Sequence, residues 1–160
     1  MENLQITSLE QLKAVKQTEI VDLGKFEDGT KLIAEVRMPD MMELVRSNKI
    51  PNELLAEAVK LFNGKTFNTM KQIEEDNNVN AFKQLGDLLE VLTESCLVNP
   101  SYNDIKTIGL IMPMDIKMNI LMYAQGGLQA LKGFREEQEC IENNQSVVEI
   151  QQTSVGDTTN

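Results

Sequence analysis

Apolar residues recur at helical spacing most clearly between Ala81 and Cys96. Ala81, Leu85, Leu88, Leu89, Leu92 and Cys96 follow an i, i+4, i+7, i+8 pattern, the stripe of a helix that buries one face. This helix should stop before Asn99-Pro100. Ser101-Tyr102-Asn103-Asp104 then reads as a turn capping a short segment, DIKTIGLI, which Met112-Pro113 ends. Asp115 opens the next helix, MDIKMNILMYAQGG. Gly126-Gly127 permits a bend, and LQALKGFREEQECIEN continues as a last helix anchored by Leu128, Leu131 and Phe134. From about Asn143 the apolar period stops, and after Arg135 every charged residue is acidic. That composition predicts disorder over 144–160.

Upstream the period changes. In KLIAEVRM, Leu32, Ala34, Val36 and Met38 alternate with Lys31, Ile33, Glu35 and Arg37, which is the period of a half-buried strand. EIVDLGKF precedes it across EDGT, and Asp28-Gly29 is a strong turn signal because glycine accepts a positive φ. Residues 19–38 therefore predict a β-hairpin. A lone hairpin is marginal in water, so it must pack on helices or pair its edge, including with another subunit. Before it, Leu9, Leu12 and Val15 mark a short amphipathic helix within residues 1–17, with Thr7 or Ser8 as N-cap and Glu10 or Gln11 as reciprocal partner. After it, Pro39 is expected in the first turn of a short helix, MMELVRSN, with Asp40 at its positive end. Ile50-Pro51 restarts the chain. A further helix follows, with Leu54, Leu55, Ala58, Leu61 and Phe62 on one face and Asn63-Gly64 as its C-cap. Residues 65–79 are polar and predict a partly helical middle and a loop at Asp76-Asn77-Asn78.

The fold class expected is mainly α with a small β-hairpin (α+β). An N-terminal helix over 1–18 precedes a hairpin plus helical domain over 19–143, with the acidic tail over 144–160.

Composition narrows function more than it defines it. The 160 residues suffice for one domain. The net charge of −10 argues against nucleic acid or an anionic membrane as partner. No apolar run approaches the roughly 20 residues that span a bilayer. MENLQITSLE has neither the basic nor the apolar part of a secretion signal, so a cytoplasmic protein is expected. There is no histidine, the commonest general base and metal ligand. Cys96 and Cys140 have no metal or redox spacing and are expected as free thiols. Glu74-Glu75-Asp76 lacks the spacing of a calcium loop, and Asp104, Asp115 and Lys117 suit capping and solvation. No phosphate-binding or nucleophile motif occurs. No enzyme activity, cofactor or metal is expected.

What remains is a surface. Met112, Met114, Met118 and Met122 cluster in the central block, the last three at spacings of four; Met41 and Met42 follow the hairpin. Methionine suits surfaces that accept varied apolar shapes, and it also fills irregular cores. Both readings fit. The six methionines are the candidate partner-binding residues.

Several short motifs point to one family. They are Val36-Arg37-Met38-Pro39-Asp40, Lys49-Ile50-Pro51-Asn52-Glu53-Leu54-Leu55, Asn99-Pro100, Asp115 with Ile120, and Gly126-Gly127 with Phe134. Across roughly residues 20–135 their order resembles the tail assembly chaperones of long-tailed phages and prophages of Gram-positive bacteria. The pattern departs where Ile116 stands between Asp115 and Lys117. The resemblance implies a protein that binds the aggregation-prone tape measure protein in the host cytoplasm, holds it soluble, helps recruit tail tube subunits and is absent from the finished virion. In many relatives a ribosomal frameshift adds a second domain, for which the tail after Asn143 is a natural junction. Self-association is a further expected partnership. The rival is a structural tail or connector protein retained in the virion that uses the hairpin edge to join a ring.

Overall fold

The computed structural model describes residues 4–62 and 79–153. The expected C-cap at Asn63-Gly64, the loop at 76–78 and the acidic run Glu74-Glu75-Asp76 lie outside the described residues. The elements in order are α1 (Leu9–Lys13), β1 (Thr18–Lys25), β2 (Lys31–Arg37), α2 (Met41–Arg46), a 3₁₀ turn (Asn52–Leu54), α3 (Leu55–Phe62), α4 (Val79–Cys96), β3 (Leu97–Asn99), α5 (Tyr102–Thr107) and α6 (Met114–Thr153). The fold is mainly α with a small antiparallel sheet.

The hairpin forms as its alternation predicts. Thr18 pairs with Arg37 and Val21 with Ala34. Val21 and Leu23 of β1 and Leu32, Ala34 and Val36 of β2 are buried, while Ile20 and Ile33 face outward. At the turn, Gly29 has φ +87°, and the Asp28 carboxylate accepts from the Thr30 amide and hydroxyl, each at 2.9 Å. The register slips between Asp22 and Lys25, where Gly24 adopts φ +120°. Only glycine suits that bulge: a Cβ there would be strained and would meet the Asn119 side chain at 3.2 Å.

The sheet gains a third strand that the sequence pattern did not announce. Leu97–Asn99 pairs with β2, giving the order β1-β2-β3. The stretch was expected to finish the α4 helix. Instead the helix ends at Cys96 and the chain turns extended, placing Leu97 opposite Val36. The hairpin thus finds its extra strand within the chain, through β2. The last turns of α4 carry two buried hydroxyls, and each donates to the carbonyl four residues back, Thr93 to Leu89 at 2.6 Å and Ser95 to Val91 at 2.8 Å. Neither is left unpaired in the core.

The core lies between the inner sheet face and the helices α4 and α6. Leu85, Leu88, Leu89, Leu92 and Cys96 of α4 meet Ile116, Ile120, Leu121, Tyr123 and Leu131 of α6 there. Polar ties fix α6 to β1. The Asn119 amide donates to the Leu23 carbonyl at 2.8 Å, the Tyr123 hydroxyl to Glu19 at 2.7 Å, and the Arg135 guanidinium to the Asp22 carbonyl. The bend expected at Gly126-Gly127 is present, with Gly127 at φ +70°. A Cβ on Gly126 would fall 2.8 Å from that of Ala130.

Three boundaries move. Pro39 precedes α2 instead of entering its first turn, and Asp40 is the N-cap, accepting from the Met42 and Glu43 amides. Asp40 can satisfy two of the unpaired first-turn donors, which Pro39 cannot do. Among the described residues of the N-terminal segment only Leu9–Lys13 is helical, with Ser8 as N-cap and Gln11 completing the capping box. At the other end α6 keeps helical backbone to Thr153, past the boundary expected near Asn143. Extending an existing helix avoids the cost of a new nucleus. Residues 154–160 lie outside the described residues.

Candidate partner-binding surface

The six candidate methionines divide. Met112, Met118 and Met122 are only 5%, 7% and 8% exposed. They are core side chains and present no docking face. The spacing of four between Met118 and Met122 reflects a helix buried nearly all round between sheet and α4. Met41 is half-buried against the core, Met42 is exposed at the start of α2, and Met114 is 45% exposed at the start of α6. The predicted set is thus one exposed methionine at each of two sites, plus core.

The exposed apolar surface lies instead in the segment between α5 and α6. Ile108 is 76% and Ile111 87% exposed, and Leu110 and Met114 are also open to solvent. Four large apolar side chains within seven consecutive residues exceed the scattered exposure normal for a protein surface. We call this segment, 108–114, the arch.

Local chemistry builds the arch from both ends. Ser101 caps α5, accepting from the Asp104 amide, while the Asp104 carboxylate accepts from the Ser101 amide at 3.1 Å and hydroxyl at 2.7 Å. These bonds hold the exposed Asp104 carboxyl below its ordinary value. At the other end of α5, Gly109 takes φ +75°. Its amide donates to the Lys106 carbonyl, and the Leu110 amide reaches the Ile105 carbonyl. That is the paired closure of a Schellman motif, which needs a left-handed residue at Gly109. The chain then dips once, burying Met112, and Pro113 leads into α6.

A polar cluster braces the same region. Glu90 of α4 accepts from the Tyr102 hydroxyl at 2.6 Å and from the Lys117 ammonium. Lys106 lies over the Tyr102 ring, 4.5 Å from its centroid. One carboxylate on α4 therefore holds α5 on one side of the arch and α6 on the other. Burial works against the Glu90 charge, but the bonds from Lys117 and Tyr102 outweigh it and its carboxyl titrates below the usual range. For Lys117 burial likewise opposes the charge, and Glu90 more than compensates, raising its value. Burial and the Glu90 bond push the Tyr102 hydroxyl up.

Two further surfaces are open. Leu4, Ile6, Leu9, Leu12 and Val15 are all exposed along the N-terminal arm. Ile20, Ile33 and Val98 are exposed on the outer sheet face. A cleft of ≈ 430 Å³ between α2 and the end of α4 carries charges of both signs, from Arg37, Asp40, Glu43 and Lys49.

Reactive chemistry is poorly served. Burial pushes the Cys96 thiol up to about 12, against a small opposing effect of Arg37, so it is not a nucleophile near neutral pH. Cys140 is exposed. Among the described residues no three His, Cys, Asp or Glu side chains gather as a metal ion would need, and no helix is long and apolar enough to cross a membrane.

The arch went unnoticed in sequence because Ile108, Leu110 and Ile111 look like the apolar side of a short helix. The signal that could have found it is a glycine and a proline inside a seven-residue apolar run, I-G-L-I-M-P-M, which is too broken to form one buried element. Comparison with known proteins adds no relative: no family model matches the chain, and neither a curated protein nor a solved structure matches it.

Proposed function

We propose that this protein is a phage tail assembly chaperone that binds the tape measure protein, keeps it soluble in the host cytoplasm and helps recruit tail tube subunits. The observation that carries the reading is the arch: four exposed apolar side chains held in fixed shape by caps and a buried anchor. A holdase needs such a surface, high solubility and no covalent chemistry. The net charge of −10 supports the second requirement, and the inert Cys96 and absent histidine fit the third. The sequence resemblance supplies the client. In this reading apolar helix faces of the tape measure protein dock on Ile108, Leu110, Ile111 and Met114, and the protein is no enzyme and leaves before the virion is complete.

The test is co-expression with the tape measure protein of the same phage or prophage, scoring client solubility and co-elution. Ile108→Asp with Ile111→Asp should abolish co-elution while the fold is kept. A client that stays insoluble beside the unaltered chain removes the reading. The rival is a structural tail or connector protein retained in the virion. It draws on the exposed outer sheet face, and finding the chain in purified particles would replace the chaperone reading with it. The hairpin edge serves that rival less well, because the Asp22 and Leu23 carbonyls of β1 already accept from Arg135 and Asn119.

A further inference from the structure

No further inference is drawn: the strongest candidate, the mixed-charge cleft between α2 and the end of α4, carries nothing, because Asp40 already caps α2, Arg37 already donates to the Ser95 carbonyl at 3.2 Å, and the remaining charges, Glu43 and Lys49, are exposed and of opposite sign, so they select no ligand.

Discussion

Two apolar stretches meet at Met112-Pro113 and have opposite fates. On one side, Ile108, Leu110 and Ile111 stand in solvent; on the other, Ile116, Ile120, Leu121 and Tyr123 are among the most deeply buried side chains of the molecule. Their hydrophobicity is similar, so hydrophobicity did not sort them. Position relative to the sheet did. α6 lies along β1, tied to it by Asn119, Tyr123 and Arg135, and its apolar faces have the sheet and α4 to cover them. The arch spans the gap between the end of α5 and the start of α6, and no layer among the described residues covers it. The core is held by burial, while the arch is held at its ends by caps, one anchor and a polar brace.

The largest effect should come from charging each side in turn. Met118→Asp with Met122→Asp places two carboxylates in the core, where an unpaired charge is expensive, and a loss above about 4 kcal/mol is expected. The chain should lose its cooperative melt by circular dichroism. Ile108→Asp with Ile111→Asp adds the same charge to solvent-exposed positions and should change stability by no more than about 0.5 kcal/mol. Equal damage from both pairs would break the comparison and put the arch in a buried interface.

Met112 is the point where the two regimes touch. Its side chain is buried while its neighbours are not, so Met112→Ala should cost about 2 kcal/mol or slightly more, the low end for a core truncation. Gly109→Ala is a smaller test of the same segment. No atom lies within 4 Å of the added Cβ, so its effect comes from the left-handed backbone at φ +75° alone, about 1 kcal/mol. Urea titration of each variant would rank them. A Gly109→Ala effect larger than that of Met112→Ala would show that closure of α5, more than the anchor, holds the arch.

Much of this layout is written in local patterns, and what is missing is long-range. The α4 stripe from Leu85 to Cys96 was legible because five apolar residues repeat at helical spacing, and the hairpin because alternation meets Asp28-Gly29. The Gly126-Gly127 bend was legible from the glycines. β3 was not, because Leu97-Val98-Asn99 is too short to carry a period and follows directly on a helix. Nor could the methionines be assigned: Met114 and Met118 share a helical face, yet one turn of helix separates solvent from core. That difference is set by where β1 lies, which no residue near Met114 encodes. The Glu90–Lys117 pair spans 27 positions and joins elements whose juxtaposition had to be known first.

That pair yields the smallest prediction and the one that asks what kind of force braces the arch. The Glu90 carboxyl lies below its ordinary 4.5 in the folded chain. A depressed carboxyl contributes stability that is fully present above 4.5 and is lost as pH falls through the lower folded value. Lys117 is raised above 10.5, so its contribution is present below that value and is lost only as pH rises through the folded one. Both contributions are therefore complete near neutrality. The Glu90 side chain is 45% exposed and its partner 17%, so solvent screening keeps the pair to about 1 kcal/mol or less. Glu90→Gln should lower stability by that amount at neutral pH and by progressively less on acidification. The variant and parent curves should converge at low pH, because protonated Glu90 and glutamine are both neutral. Asp22, Asp28 and Asp104 are also depressed and will steepen both acid limbs alike, so the difference between the curves isolates Glu90. If the difference stays constant with pH, Glu90 braces the arch through its shape and its hydrogen bond to Tyr102, and charge contributes nothing. If it closes as pH falls, the arch rests on an ion pair, and its grip on any partner should loosen in acid while the core beside it holds.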